Sequence, residues 1–105
     1  MISRHWRGLA RKDKAASYER HLRVETFPGL KSIPGFVGAS ILTRTLENAV
    51  EFLIISRWSS VEAIAQFAGA DVEAAVVPAN VQAMMIEYDL RARHYEVIAT
   101  DLRGD

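Results

Sequence analysis

Three histidines and no cysteine bound the chemistry open to this 105-residue chain. Without a thiol there is no cysteine nucleophile, no disulfide and no thiolate-held zinc. His5, His21 and His94 show neither His-x-His nor His-Glu-x-x-His spacing, so the sequence carries no metal motif. The six glycines fall at turns and element ends rather than in a phosphate-cradling loop. No serine stands in a nucleophile elbow, and no cofactor motif is read. Proton transfer is the chemistry that remains, and His21 is its candidate. On a helix it stands one turn from Tyr18, one turn from Glu25 and next to Leu22. An imidazole at the edge of an apolar stripe can take a phenolic proton near neutral pH, with Tyr18 as hydrogen-bonding partner. The alternative is a boundary histidine paired with Glu25.

A flat ligand beside such a base needs apolar walls. Trp6, Phe67, Met84 and Tyr88 are the candidates. Trp6 offers a stacking face and Tyr88 a hydroxyl, yet both also suit a core. Methionines such as Met84 commonly fill irregular gaps. Trp58 reads as structural, closing a strand and packing on the next helix. Asp89 and His94 can form an ion pair across a helix-to-strand junction. Arg4, Arg7, Arg91 and Arg93 read as rim charges in local salt bridges.

Composition narrows the partners. The 13 basic and 13 acidic residues cancel, which gives no electrostatic case for nucleic acid or an anionic membrane. No apolar run approaches the ~20 residues that span a bilayer. The first residues, Met1 to Arg7, contain no apolar signal region. With the missing cysteines, this fits a cytoplasmic protein. One domain over residues 1–105 is expected, burying roughly two-thirds of its unfolded surface.

The elements that must position these residues follow from periodicity. Ile2 to Gly8 reads as a strand with Ile2, Arg4 and Trp6 on one face and Ser3, His5 and Arg7 on the other. Lys12 to about Phe27 reads as a helix burying Ala15, Tyr18, Leu22 and Thr26. Pro28-Gly29 should stop or kink it. Pro34-Gly35 releases a strand over Phe36 to Arg44, and Gly35 suits a positive φ. A turn at Glu47-Asn48 leads to the strongest strand, Glu51 to Trp58. Its run Phe52-Leu53-Ile54-Ile55 is apolar on both faces. A sheet with helices on one side only then needs a second cover, and another copy of the chain is the simplest. Ser59 reads as the N-cap of a helix to Ala68, with Glu62 completing a capping box. Asp71 can cap a short turn through Val76. Pro78 fits the first position of a further helix, on which Val81, Met84, Met85 and Tyr88 share a face. Arg93 to Ile98 reads as the last strand and 99–105 as a frayed tail.

The order β-α-β-β-α-β, carried by Ile33-Pro34-Gly35-Phe36, the strand Glu51 to Trp58 with Ser59-Ser60-Val61-Glu62-Ala63-Ile64, Phe67-Ala68-Gly69 and His94-Tyr95-Glu96-Val97, resembles the antibiotic-biosynthesis monooxygenase-like family. The resemblance implies an α+β ferredoxin-like fold with an antiparallel sheet, and homodimers whose sheets close an α+β barrel. It implies a pocket between sheet and helices in each subunit. In related members that pocket holds a polycyclic aromatic substrate oxidised by O2 without flavin or metal; in others it holds heme. The heme-degrading branch uses an Asn on the first strand, a Trp on the helix after the third strand and a His in the segment beyond. Here the first strand has no Asn, Phe67 stands at the Trp position, and Asp71 to Pro78 contains no His. Two functions stay open: a cofactor-independent monooxygenase-like enzyme acting on a flat aromatic molecule, with His21 as base, and a non-catalytic binding or oligomerisation module.

Overall fold

A computed structural model describes residues 1–104 of the chain. Strand β1 (Ile2–Ala10) is the centre of its sheet. It pairs antiparallel with β3 (Val50–Trp58) along its whole length, from Ile2 opposite Trp58 to Ala10 opposite Val50. β3 pairs in turn with β2 (Phe36–Thr45). On its other edge β1 takes two short strands end to end. Gly8, Leu9 and Ala10 pair with β4 (Met85–Tyr88), and Ile2 to His5 pair with β5 (Arg93–Glu96). The sheet is antiparallel, five-stranded and ordered β2-β3-β1-β4, with β5 also on β1. This is the α+β ferredoxin-like arrangement expected, with one extra strand ahead of the last.

The register sorts side chains by face. Arg4, Trp6, Phe52, Ser56 and Trp58 share one face, and all are buried. Helices α1 (Ala15–His21), α2 (Phe27–Lys31) and α3 (Val61–Ala68) cover it. Two apolar clusters form beneath them. One gathers Trp6, Tyr18, Leu22, Phe52, Val81 and Met85; the other gathers Leu30, Trp58, Ala63 and Ile64. Leu53 and Ile55 point to the opposite face and join neither cluster. The two-faced character of the Phe52–Ile55 run is therefore real.

Four local expectations give way. Of the stop or kink expected at Pro28-Gly29, the stop does not occur: the helix continues to Lys31. A π-helical turn over Leu22–Thr26 precedes the proline, and the Phe27 N–H bonds to the Leu22 carbonyl five residues back. Widening the helix there lets Pro28, which has no N–H to give, enter without breaking it. The cap of α3 is Ser60, whose hydroxyl accepts from the Ala63 N–H at 3.2 Å. Ser59 instead gives its N–H to the Gly35 carbonyl at 2.8 Å. Pro78 caps α4 (Ala79–Gln82) rather than opening it. Finally, Met85 and Tyr88 belong to a strand. The i, i+4 spacing from Val81 to Met85 buries both residues, but the open edge of β1 draws the following run into the sheet, and so short an apolar run is ambiguous from periodicity alone. No helix is long and apolar enough to cross a membrane among the described residues.

Candidate active site

Between the two apolar clusters lies a cavity of about 80 Å³. Its floor is the sheet: Arg4 and Trp6 from β1, Ile54 and Ser56 from β3. Tyr18 and His21 from α1, with Leu22 and Thr26 from the π-helical turn, make one wall. Phe67 on α3 and the segment Val76-Val77-Pro78 make the other. The cavity opens into an outer groove of about 400 Å³, and the two share His21, Thr26, Leu30, Phe67, Val76 and Pro78. His21 therefore stands where the interior meets the entrance.

The His21 side chain is 12% exposed, and its Nδ1 lies 2.6 Å from Oε2 of Glu25, one turn along the helix. With Nδ1–H donating to that carboxylate, Nε2 is the nitrogen that can accept a proton. The Tyr18 ring stacks at 17° to the imidazole, centroids 6.5 Å apart, and meets Phe52 edge-on at 4.8 Å. Burial pushes the Tyr18 hydroxyl well above the ordinary tyrosine pKa, so it stays protonated and acts as a donor. Trp6 is both cavity floor and core. Its Nε1–H donates to the Asp89 carbonyl at 2.9 Å, which holds the indole in place. Close approach to Gly8 also places it: a Cβ at Gly8 would come within 2.5 Å of the indole. Phe67 lies at 22° to Trp58, centroids 6.2 Å apart. Met84 and Tyr88 do not line this cavity. Met84 borders a shallow surface depression beside His21, and Tyr88 packs behind Trp6 at 6.4 Å.

Arg4 is the residue that sequence reading misplaced. Far from the rim, it is 4% exposed and sits on the cavity floor. Its guanidinium donates to the Val72 carbonyl, to the Ala74 carbonyl at 2.8 Å and to His94 Nε2 at 2.7 Å. It also lies over the Phe67 ring, 5.7 Å from the centroid. The strand parity that put Arg4 on the face of Trp6 was the signal for this. The expected Asp89–His94 pair is absent. The Asp89 backbone carbonyl accepts from the Trp6 indole, while His94 faces Arg4 and lies 4.0 Å from Glu73. Arg7 and Arg91 do form rim pairs, with Glu51 and Asp71 respectively. No group of three metal-ligating side chains converges among the described residues.

A guanidinium can only donate, so the His94 ring accepting from it is neutral. Burial first, and then the Arg4 charge, hold the His94 pKa below its usual value, against a weaker pull from Glu73. His5 is lowered too, by burial and by Arg57. Both rings thus take protons more readily in the unfolded chain. Their contribution to stability is complete above the unfolded value of ~6.5 and is lost as pH falls below it. Thermal melts between pH 7.5 and pH 5 should show the midpoint dropping on acidification. His94→Gln should flatten that slope. An unchanged slope in the variant would remove His94 from the account.

No protein-family model and no curated protein matches the chain. Solved structures are similar. A Deinococcus radiodurans protein described as a candidate antibiotic biosynthesis monooxygenase is 17% identical, with a TM-score of 0.63 over 99% of this chain and 100% of that one. A Bacillus cereus protein described in the same way is 16% identical, with a TM-score of 0.62 over 97% of both chains. MhuD, a heme-degrader from Mycobacterium tuberculosis with two hemes bound in its active site, is 15% identical, with a TM-score of 0.59 over 96% and 99%. The chain has the fold of the antibiotic biosynthesis monooxygenases over nearly its whole length.

Proposed function

We propose that this protein is a cofactor-independent monooxygenase-like enzyme acting on a flat aromatic molecule that carries a phenol-type hydroxyl. The carrying observation is the His21–Glu25 pair at the mouth of a cavity floored by Trp6 and walled by Phe67. Glu25 orients the imidazole and fixes its tautomer. Nε2 removes the phenolic proton, the protonated Tyr18 donates to the substrate, and the aromatic walls hold the ring flat. The resulting anion is electron-rich enough to reduce O2 directly. At a reacting CH2 the balance closes as CH2 + O2 giving C=O + H2O. One oxygen becomes the new carbonyl, the other leaves as water with both hydrogens, and the substrate supplies all four electrons. A filled core or an outward His21 would have favoured a binding module; the cavity touching a largely buried His21 supports the enzyme.

The volume of about 80 Å³ is well below the ~300–1,000 Å³ of drug-sized sites, so a ring of one to three fused units would extend into the groove. The heme-bound relative MhuD favours a larger guest, but the residues that the heme-degrading branch uses have no counterparts at the matching positions of this sequence. The test is oxygen uptake with a panel of phenols and anthrone-like ketones, with product identified by mass. Uptake above the uncatalysed rate with one oxygen retained per product supports the reading. Tight binding without uptake points to the binding module.

The same reading includes a homodimer closed through the sheet face that carries Leu42, Leu53 and Ile55. Leu42 is 42% exposed on that face. Sealing it would bury ~1,600 Å² in a standard interface. Sedimentation should give a dimer at micromolar concentration, and Ile55→Asp should yield monomers. A wild-type monomer would refute this assembly.

A further inference from the structure

We propose that the cavity's ligand carries a carboxylate, and that Arg4 is the residue that recognises it. This rests on the aromatic-ligand reading of the same cavity and adds the charge of the ligand to it. Arg4 is the one charged side chain fixed on the cavity floor, and no carboxylate lines that cavity. Among the described residues none forms an ion pair with Arg4 within 4.0 Å, although 96% of its surface is withdrawn from solvent. Its partners are two neutral carbonyls and a neutral imidazole. Glu73 acts on it electrostatically but forms no ion pair with it; a buried cation so weakly compensated is costly, and a carboxylate in the cavity would offset that cost.

The donor count agrees. Guanidinium has five N–H groups. Both hydrogens on Nη1 and one on Nη2 are engaged, leaving Nε–H and one Nη2–H. No polar side-chain atom sealed from solvent lacks a partner among the described residues, so the unpartnered Nε is not sealed off, and Arg4 lines the cavity. Two remaining donors on one planar group suit a carboxylate. The Arg4 guanidinium lies over the Phe67 ring, and Trp6 shares the cavity, so a ring attached to that carboxylate would lie among aromatic walls. Burial lowers the Arg4 pKa against an opposing pull from Glu73, yet a guanidinium stays charged at neutral pH.

Arg4 also ties the Val72–Ala74 segment to the sheet, and the experiment separates that role from recognition. Calorimetric titration of the full chain at neutral pH would use 2-naphthoate, its neutral isostere 2-naphthamide, and cyclohexanecarboxylate. The wild type should bind 2-naphthoate at least tenfold more tightly than the amide. Arg4→Gln should erase that preference while keeping amide binding, and Arg4→Lys should retain part of it. Equal or tighter amide binding by the wild type overturns the proposal and leaves the aromatic reading standing. Cyclohexanecarboxylate binding as well as 2-naphthoate keeps the anion site and removes the aromatic reading. Failure of all three ligands removes both. Should Arg4→Gln not fold, the wild-type preference and its change in Arg4→Lys decide the matter. Loss of acid and amide binding together in Arg4→Lys, in a folded protein, assigns Arg4 to structure alone.

Discussion

Replacing His21 by alanine should lower turnover of a phenolic substrate by ~10²–10⁴-fold, the usual range for losing a general base. The loss should fall on kcat more than on KM, because the proton is transferred in the transition state while the aromatic walls hold the substrate in both states. The fold should survive. His21 ends a helical turn near the surface, and alanine is the better helix former. Glu25→Gln should cost less than His21→Ala, because it keeps the ring in place by a weaker hydrogen bond. A folded His21→Ala variant with full activity would assign the residue to structure. His21→Gln, similar in size but unable to act as a base, serves as the second probe if alanine disturbs the helix.

The second large effect is on stability. Gly35 has φ +96°, where a side chain is strained. Space is also missing: a Cβ there would lie 2.6 Å from the Ala63 Cβ and 2.8 Å from the Ser59 hydroxyl. The Gly35 carbonyl accepts the Ser59 N–H, so this turn ties the start of β2 to the head of α3. Gly35→Val combines backbone strain with overpacking against a buried alanine, and should destabilise by about 2–4 kcal/mol. That corresponds to a melting temperature lowered by roughly 10–25 °C in a domain of this size. Gly69 makes the contrast. Its φ is +87°, but nothing lies within 4 Å of a Cβ there. Gly69→Ala should therefore cost only the backbone strain, about 1–3 kcal/mol. Equal effects at the two glycines would show that the Ala63 contact does not matter.

Much of the fold was legible because it rests on local rules. Alternation placed Ile2, Arg4 and Trp6 on one face of β1 and made the Phe52–Ile55 run of β3 apolar on both faces, and both strands formed; their register, with Trp6 and Phe52 on one face, came from the structure. The stripe Ala15, Tyr18, Leu22 packed inward because the 3.6-residue period leaves it no other face. Gly35 was marked by its neighbour Pro34 and by the strand that follows. His21 could be singled out as a candidate from its type, its stripe and its spacing from Tyr18 and Glu25, and it lies beside the cavity.

What the chain could not disclose locally depended on partners distant in sequence. Met85 to Tyr88 fit a helical stripe equally well; the unfilled edge of β1, some 75 residues away in the chain, made them a strand. Arg4 had the composition of a rim charge. Its burial required the carbonyls of Val72 and Ala74 and the ring of His94, at separations of 68, 70 and 90 residues. The continuation of the helix through Pro28 likewise needed a π-helical turn, which no residue pattern announces. Sequence alone thus marked most of the elements, their apolar faces and the candidate base. Only tertiary structure decided which polar groups those faces would enclose, because desolvating a charge is tolerated only where a particular set of distant acceptors is brought to meet it.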